Sequence, residues 1–444
     1  TEDEQYLVLI EWEGTSHENG LLYRPIDATE PFTRLVSTGV ARHDFIEHHD
    51  RSFIVLTDLD APNGRIVAIP LDRAGERDEL VAETDTPLEW AAAAGGRLIA
   101  GRLRDASHRV EMYRLDGTPA GEIPLPAPGT VTGLTGLLSD PVVYIGFESF
   151  LYPPTALQWD GTSVIKFAGA APPLDPADFI VERHMATSTD GATVGMFVLR
   201  AAATGLPAPV ELYGYGGFNI SLTPQFDPAR LAFVASGGVA VIANLRGGNE
   251  HGEEWHRAGM LGNKQQVFDD FIACAEELTA AGIAPPGGVG IRGRSNGGLL
   301  TSAVLMHRPD LFGAVVVTVP VADMLRYQHF TAGRYWTVEY GDAADPEAFR
   351  WLIEYSPLHN VRDDVEYPPV LITTGESDDR VVPMHSFKLA AALQHAAGDA
   401  SDNPLLLRVD VRAGHGLGKP TAKLIDEAAD VYGFLLHHLG AASE

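Results

Sequence analysis

The pentapeptide Gly293-Arg294-Ser295-Asn296-Gly297 has the form G-x-S-x-G. The apolar stretch before it reads as a strand and the run through Leu299, Leu300 and Val304 after it as a helix. Ser295 therefore falls on the sharp strand-to-helix turn that presents a nucleophilic hydroxyl. Glycine is needed on either side because larger side chains would collide with neighbouring backbone. A serine hydroxyl is a weak nucleophile at neutral pH and requires a histidine base oriented by a carboxylate. In this fold the chain order is serine, acid, histidine. Asp378 follows the apolar run Val370 to Thr374, and His415, flanked by Gly414 and Gly416, follows Leu405 to Val411. Each lies past a strand's carboxyl end, where open α/β sheets place their sites. Asp379 is the alternative carboxylate.

These residues need a sheet to carry them, and the second part of the chain supplies one. From about Asp175 candidate strands at 179–183, 194–199, 210–213, 239–244, 289–293, 314–319, 370–374 and 405–411 alternate with helices, the grammar of a mainly parallel sheet covered on both faces. Phe268, Phe271, Ile272, Ala275 and Leu278 recur at helical spacing, as do Leu424, Ile425, Ala428, Val431, Leu435 and Leu439. Before Pro173 the signal is short runs rich in β-branched and aromatic residues, with turn pairs such as Asn63-Gly64, Asp116-Gly117 and Asp160-Gly161. Runs starting near Tyr6, Phe53, Leu98 and Val142 recur every 44 to 47 residues, the length of a propeller blade; a β-sandwich is the competing architecture. The fold class is thus α/β, with β-propeller blades over 1–174, about four of them, and an α/β-hydrolase domain over 175–444. The segment 170–178, with Pro172, Pro173 and Pro176, reads as the linker and a hinge candidate.

Composition narrows the functions. With 32 basic and 60 acidic residues the formal charge is −28, which disfavours nucleic acid and anionic membrane as partners. No apolar run approaches the roughly 18 residues that span a bilayer. One cysteine, Cys274, rules out an internal disulfide framework and a multi-cysteine zinc site.

Several stretches together resemble the prolyl oligopeptidase (prolyl endopeptidase) family of serine peptidases. They are Tyr213 to Asn219 (YGYGGFN), Asn244 to Gly248 (NLRGG), Ser295 to Leu300 (SNGGLL), Tyr355 to Asn360 (YSPLHN), Asp378 to Pro383 (DDRVVP) and Ala413 to Gly416 (AGHG) with Lys419-Pro420 behind. The resemblance implies a serine endopeptidase cutting short peptides on the carboxyl side of proline through an acyl-enzyme. It needs no metal or organic cofactor. By matching position, Ser295 is the nucleophile, His415 the base and then acid, and Asp378 the orienting carboxylate. The backbone N–H of Asn296 and the hydroxyl of Tyr215 form the oxyanion hole. Trp336, Phe218, Val321, Tyr340, Val381 and Asn296 line the pocket for proline, and Arg380 binds a substrate carbonyl. A relative of the oligopeptidase B or acylaminoacyl-peptidase kind is the nearest alternative, and an inactive hydrolase-fold binding protein the remote one.

The family's propeller has seven blades, and its chains are longer. The expectation is therefore that Thr1 is not the natural start, that the blades are the later part of a seven-bladed propeller, and that the missing N-terminal portion is a partner of this chain. The complete form is expected to be a cytoplasmic monomer, with periplasm or secretion left open. The propeller is expected to cap the site and admit short, proline-containing peptides.

Overall fold

The computed structural model describes residues 1–363, 365–398, 402–416 and 418–440. They form two compact units. The first joins residues 1–174 with two excursions from later in the chain, 223–226 and 249–255; the second takes 175–222, 227–248 and the chain from 256 onward.

The first unit carries four antiparallel β-propeller sheets in chain order. One is three-stranded over residues 6–36, and three are four-stranded over 43–81, 88–123 and 130–169. The recurring apolar runs have a simple cause. In the strand Ser52–Thr57, Phe53 and Val55 join a core with Leu21 and Val36 of the sheet before, whereas Ile54 and Leu56 join a core with Leu98 and Ala100 of the sheet after. A sheet buried on both faces cannot alternate apolar with polar, so FIVL runs unbroken. This is blade stacking and not the two-layer packing of a sandwich. Three of the four starts mark inner strands, since Phe53 and Leu98 lie in the second strand of their sheets and Val142 directly precedes the second strand of its own, whereas Tyr6 opens the edge strand of the first sheet. Gly117, at φ +85°, shows why the turn pairs hold glycine: a Cβ there would lie 2.0 Å from the carbonyl oxygen of Leu80.

The second unit is built on one eight-stranded sheet. Its strands are β1 (Phe179–Thr187), β2 (Thr193–Ala201), β3 (Val210–Tyr213), β4 (Val239–Asn244), β5 (Val289–Arg294), β6 (Ala314–Thr318), β7 (Val370–Gly375) and β8 (Leu405–Asp410). The spatial order is β1-β2-β4-β3-β5-β6-β7-β8. The pairings β1·β2 and β2·β4 are antiparallel and the rest parallel. Helix Gln265–Ala280 buries Val267, Phe268, Phe271, Cys274, Ala275 and Leu278, the face its periodicity marked. Helix Thr421–His438 departs from its pattern. Only its later turns are buried, through Val431, Tyr432 and Leu435, while Leu424 and Ile425 are exposed beside a cavity of about 720 Å³. An apolar stripe thus marks a helix here without marking how far its face is covered.

Candidate active site

The four parallel strands β5 to β8 set the site. Ser295 follows β5, Asp378 follows β7 and His415 follows β8, so three residues far apart in sequence leave the carboxyl ends of strands within one run of four, with β6 between β5 and β7. Ser295 stands between β5 and helix Asn296–His307 at φ 60° and ψ −113°. This left-handed position is one that few non-glycine residues adopt, and the elbow holds it by packing. A Cβ on Gly293 would fall 2.0 Å from the carbonyl oxygen of Gly297, and one on Gly297 would fall 2.6 Å from that of Gly214. Backbone anchors complete the turn: the N–H of Ser295 donates to the Thr318 carbonyl at 2.9 Å, and its own carbonyl accepts from Leu299 at 3.0 Å.

The acid and the histidine meet directly. His415 Nδ1 lies 2.6 Å from Asp378 Oδ2; with the carboxylate as acceptor, Nδ1 is the donor and Nε2 keeps its lone pair. Asp378 is 3% exposed. Its other oxygen accepts the backbone N–H groups of Arg380, at 3.0 Å, and Val381, at 2.9 Å, so the carboxylate is oriented at both ends. Asp379, by contrast, is exposed. The two loops are laced together, since Ser377 N–H donates to Ala413 O at 2.9 Å and Glu376 N–H to Asp410 O at 3.0 Å. The histidine loop also reaches the elbow: a Cβ on Gly416 would lie 2.0 Å from Nη2 of Arg294, the residue before the serine.

A second loop, Gly214 to Phe218, lies against the same elbow. The side-chain N–H of Asn296 donates to the carbonyl of Tyr215 at 2.6 Å, and Tyr340 donates its hydroxyl to Asn296 Oδ1 at 2.8 Å. Burial pushes the Tyr215 phenol well above its ordinary pKa, reinforced by Tyr213 and Glu339 against the opposing pull of Arg380, so the group is a hydroxyl donor throughout the neutral range. Phe218 meets Tyr340 edge to face at 5.4 Å, and Tyr327 lies edge-on to Tyr340 and parallel to Trp336. Trp336 and Tyr340 are buried, and Val321 and Val381 are buried in the same core. Arg380 gives Asp378 its backbone N–H, while its side chain is exposed.

Sequence reasoning missed Tyr327, which backs the indole, and His385. The latter is 2% exposed and its Nδ1 accepts the N–H of Asp323 at 3.0 Å. Burial holds its pKa down at about 4, with Asp323 and Asp378 raising and Lys388 lowering it. The unfolded side chain takes its proton near 6.5 and the folded one only near 4. Stability is therefore indifferent to this group above pH 6.5 and falls as pH drops from there, by about 3 kcal/mol at pH 4. Urea unfolding at pH 7 and pH 4 should show that loss, and His385→Gln should flatten it; an unchanged slope in the variant would assign the acid limb elsewhere.

Among the described residues, one set of side chains is spaced to share a cation: His17, Asp58 and Glu253, all in the first unit. His17 Nε2 lies 2.6 Å from Asp58 Oδ2 and 3.6 Å from Glu253 Oε2. Cys274 is fully buried and its thiol is pushed well up by burial, the state of an unreactive core residue.

The family model described as "Prolyl oligopeptidase family" matches residues 224–442, and the one described as "Prolyl oligopeptidase, N-terminal beta-propeller domain" matches residues 1–164. A prolyl endopeptidase of Elizabethkingia meningoseptica is 35% identical over all of this chain, and prolyl oligopeptidase A of Galerina marginata is 35% identical over 99% of it. The chain spans 63% and 62% of those relatives' lengths. A solved structure of prolyl oligopeptidase B from Galerina marginata, bound to a 35mer hydrolysis and macrocyclization substrate, superposes with a TM-score of 0.95 at 34% identity, covering 99% of this chain and 64% of that one. Oligopeptidase B from Leishmania major, at 24% identity and a TM-score of 0.86, shares the fold.

Proposed function

The chain belongs to the prolyl oligopeptidase family, and from that premise we propose that it is a serine endopeptidase that cuts short peptides after proline. The observation that carries this reading is the His415–Asp378 contact at 2.6 Å, on a carboxylate fixed by two backbone N–H groups, in a loop that packs on the Ser295 elbow. Ser295 Oγ attacks the carbonyl carbon of the proline while His415 Nε2 takes the hydroxyl proton, a transfer that needs the two within about 2.6 to 3.2 Å. Asp378 stabilises the imidazolium without accepting its proton. The tetrahedral oxyanion is held by the Asn296 N–H and the Tyr215 hydroxyl, donors that act on charge present only in the transition state. His415 then protonates the leaving amine, and water repeats the sequence to free Ser295.

Removing the Tyr215 hydroxyl should therefore reach kcat more than KM. Tyr215→Phe is expected to lower kcat by about 10²-fold or more; a variant within a factor of two of wild type would take Tyr215 out of the oxyanion hole.

The substrate preference rests on the slot. A pyrrolidine ring is compact and apolar and packs on an indole face, and Trp336, Tyr340, Val321 and Val381, which share one core with Phe218 packed against it, would supply such a wall. A pocket for arginine would need an uncommitted carboxylate. Glu339, the buried acid beside Tyr340, has both oxygens engaged, by Lys264 at 2.8 Å and His256 at 3.0 Å. The exposed Arg380 guanidinium would take a substrate backbone carbonyl as a fixed donor. Paired fluorogenic peptides with proline or arginine before the scissile bond test the reading. Faster turnover after proline is expected; faster turnover after arginine would overturn it. No helix among the described residues is long and apolar enough to cross a membrane.

A further inference from the structure

Beneath the glycine loop that carries Tyr215 lie three ionisable side chains that the mechanism above does not use. Lys264, Glu339 and His256 are 1%, 2% and 6% exposed. Lys264 Nζ donates to the carbonyl of Gly216 at 2.8 Å and to Glu339 Oε1 at 2.8 Å. His256 Nε2 lies 3.0 Å from the other oxygen of Glu339. The ammonium is also 5.5 Å from the centre of the Tyr340 ring. The fit is close: a Cβ on Gly217 would lie 2.7 Å from Asn296 Nδ2, 2.8 Å from Lys264 Nζ and 2.9 Å from Glu339 Oε1.

Burying charge is costly, and an apolar set of the same volume often stabilises as well or better. What distinguishes this cluster is the atom it addresses. Tyr215 and Gly216 are successive residues whose carbonyls both face inward, the first onto the side chain of Asn296 and the second onto Lys264. The first contact fixes the 215–216 peptide plane, which adjoins the Tyr215 Cα, and the second fixes the 216–217 plane that follows, so the backbone is held at and directly after the residue that carries the hydroxyl. Resting on the serine-peptidase reading above, we propose that Lys264 is a positioning residue: its ammonium, neutralised by Glu339 and braced through His256, holds the Gly216 carbonyl so that the Tyr215 hydroxyl stays aimed at the developing oxyanion. A displaced donor of this kind costs roughly 10- to 100-fold in rate, and because the donor acts on the transition state the loss falls on kcat and spares KM.

The single change Lys264→Met strands the Glu339 charge and confounds folding with function. The double variant Lys264→Met/Glu339→Gln removes both charges and keeps the volume. It is expected to melt within a few degrees of wild type. It should cleave a proline peptide with kcat lowered ~10- to 100-fold and KM within about threefold, and react with a fluorophosphonate more slowly by the same factor, since the phosphoryl oxygen enters the same hole. If the cluster serves only to balance charge, the neutral pair restores both rates, and that result overturns the proposal. The fluorophosphonate arm does not depend on proline preference. A wild-type protein that labels but does not cut after proline fails the specificity reading alone, and the double variant's labelling rate still decides the role of Lys264. A wild-type protein that does not label overturns the serine reading and the positioning role together.

Discussion

Replacing Ser295 by alanine is expected to lower kcat for a proline peptide by about 10⁵-fold or more while leaving KM nearly unchanged. The structure gives the reason the loss should be chemical and not structural. Both backbone hydrogen bonds of residue 295, to Thr318 and from Leu299, are independent of its side chain. The left-handed backbone at φ 60° is imposed by the close approach of Gly293, Gly297 and Gly214, and an alanine is no worse there than a serine. A melting temperature within a few degrees of wild type should accompany the collapse in rate. The residual activity then measures what the oxyanion donors and the slot contribute without a nucleophile. A variant that retains more than a hundredth of wild-type kcat would mean that another group attacks the substrate.

Asp378→Asn should cost about 10⁴-fold in kcat, through the position of one proton. The oxygen that accepts from Arg380 and Val381 can remain an oxygen in the amide. The NH₂ group then replaces the oxygen 2.6 Å from His415 Nδ1. A donor at that place demands an acceptor on Nδ1, which moves the imidazole proton to Nε2 and leaves no lone pair to receive the serine's. The geometry survives and the base does not. Asp379→Asn, at an exposed side chain one residue away, should stay within about twofold of wild type. If the two variants exchange behaviour, the acid has been assigned to the wrong carboxylate.

Much of this was legible in the sequence because it is local. The elbow is written in five consecutive residues, and β6 and β7 are buried on both faces, so AVVV and VLI read as unbroken apolar runs. The propeller repeat is legible for the same reason, since Phe53 to Leu56 is apolar on both faces. What escaped is what depends on distant partners. Residues 223–226 and 249–255 fold with the first unit although their neighbours in sequence belong to the second, and no periodicity marks such an excursion. Lys264 and Glu339, 75 residues apart, look like ordinary surface charges until folding buries them against each other. Leu424 and Ile425 err in the opposite sense, carrying the spacing of a buried stripe while lying exposed. Between Asp378 and Asp379 the residue types offered no choice; the two backbone N–H groups on Asp378 supply a physical reason to prefer it.

The central claim is that Asp378 and His415 activate the hydroxyl of Ser295. Intact-protein and peptide mass mapping after a fluorophosphonate is added tests it most directly, because only an activated serine reacts rapidly with the reagent. The expected result is one adduct, on Ser295, that disappears in His415→Ala and in Ser295→Ala. Absence of an adduct on the wild-type chain, an adduct on another residue, or undiminished labelling of His415→Ala would contradict it.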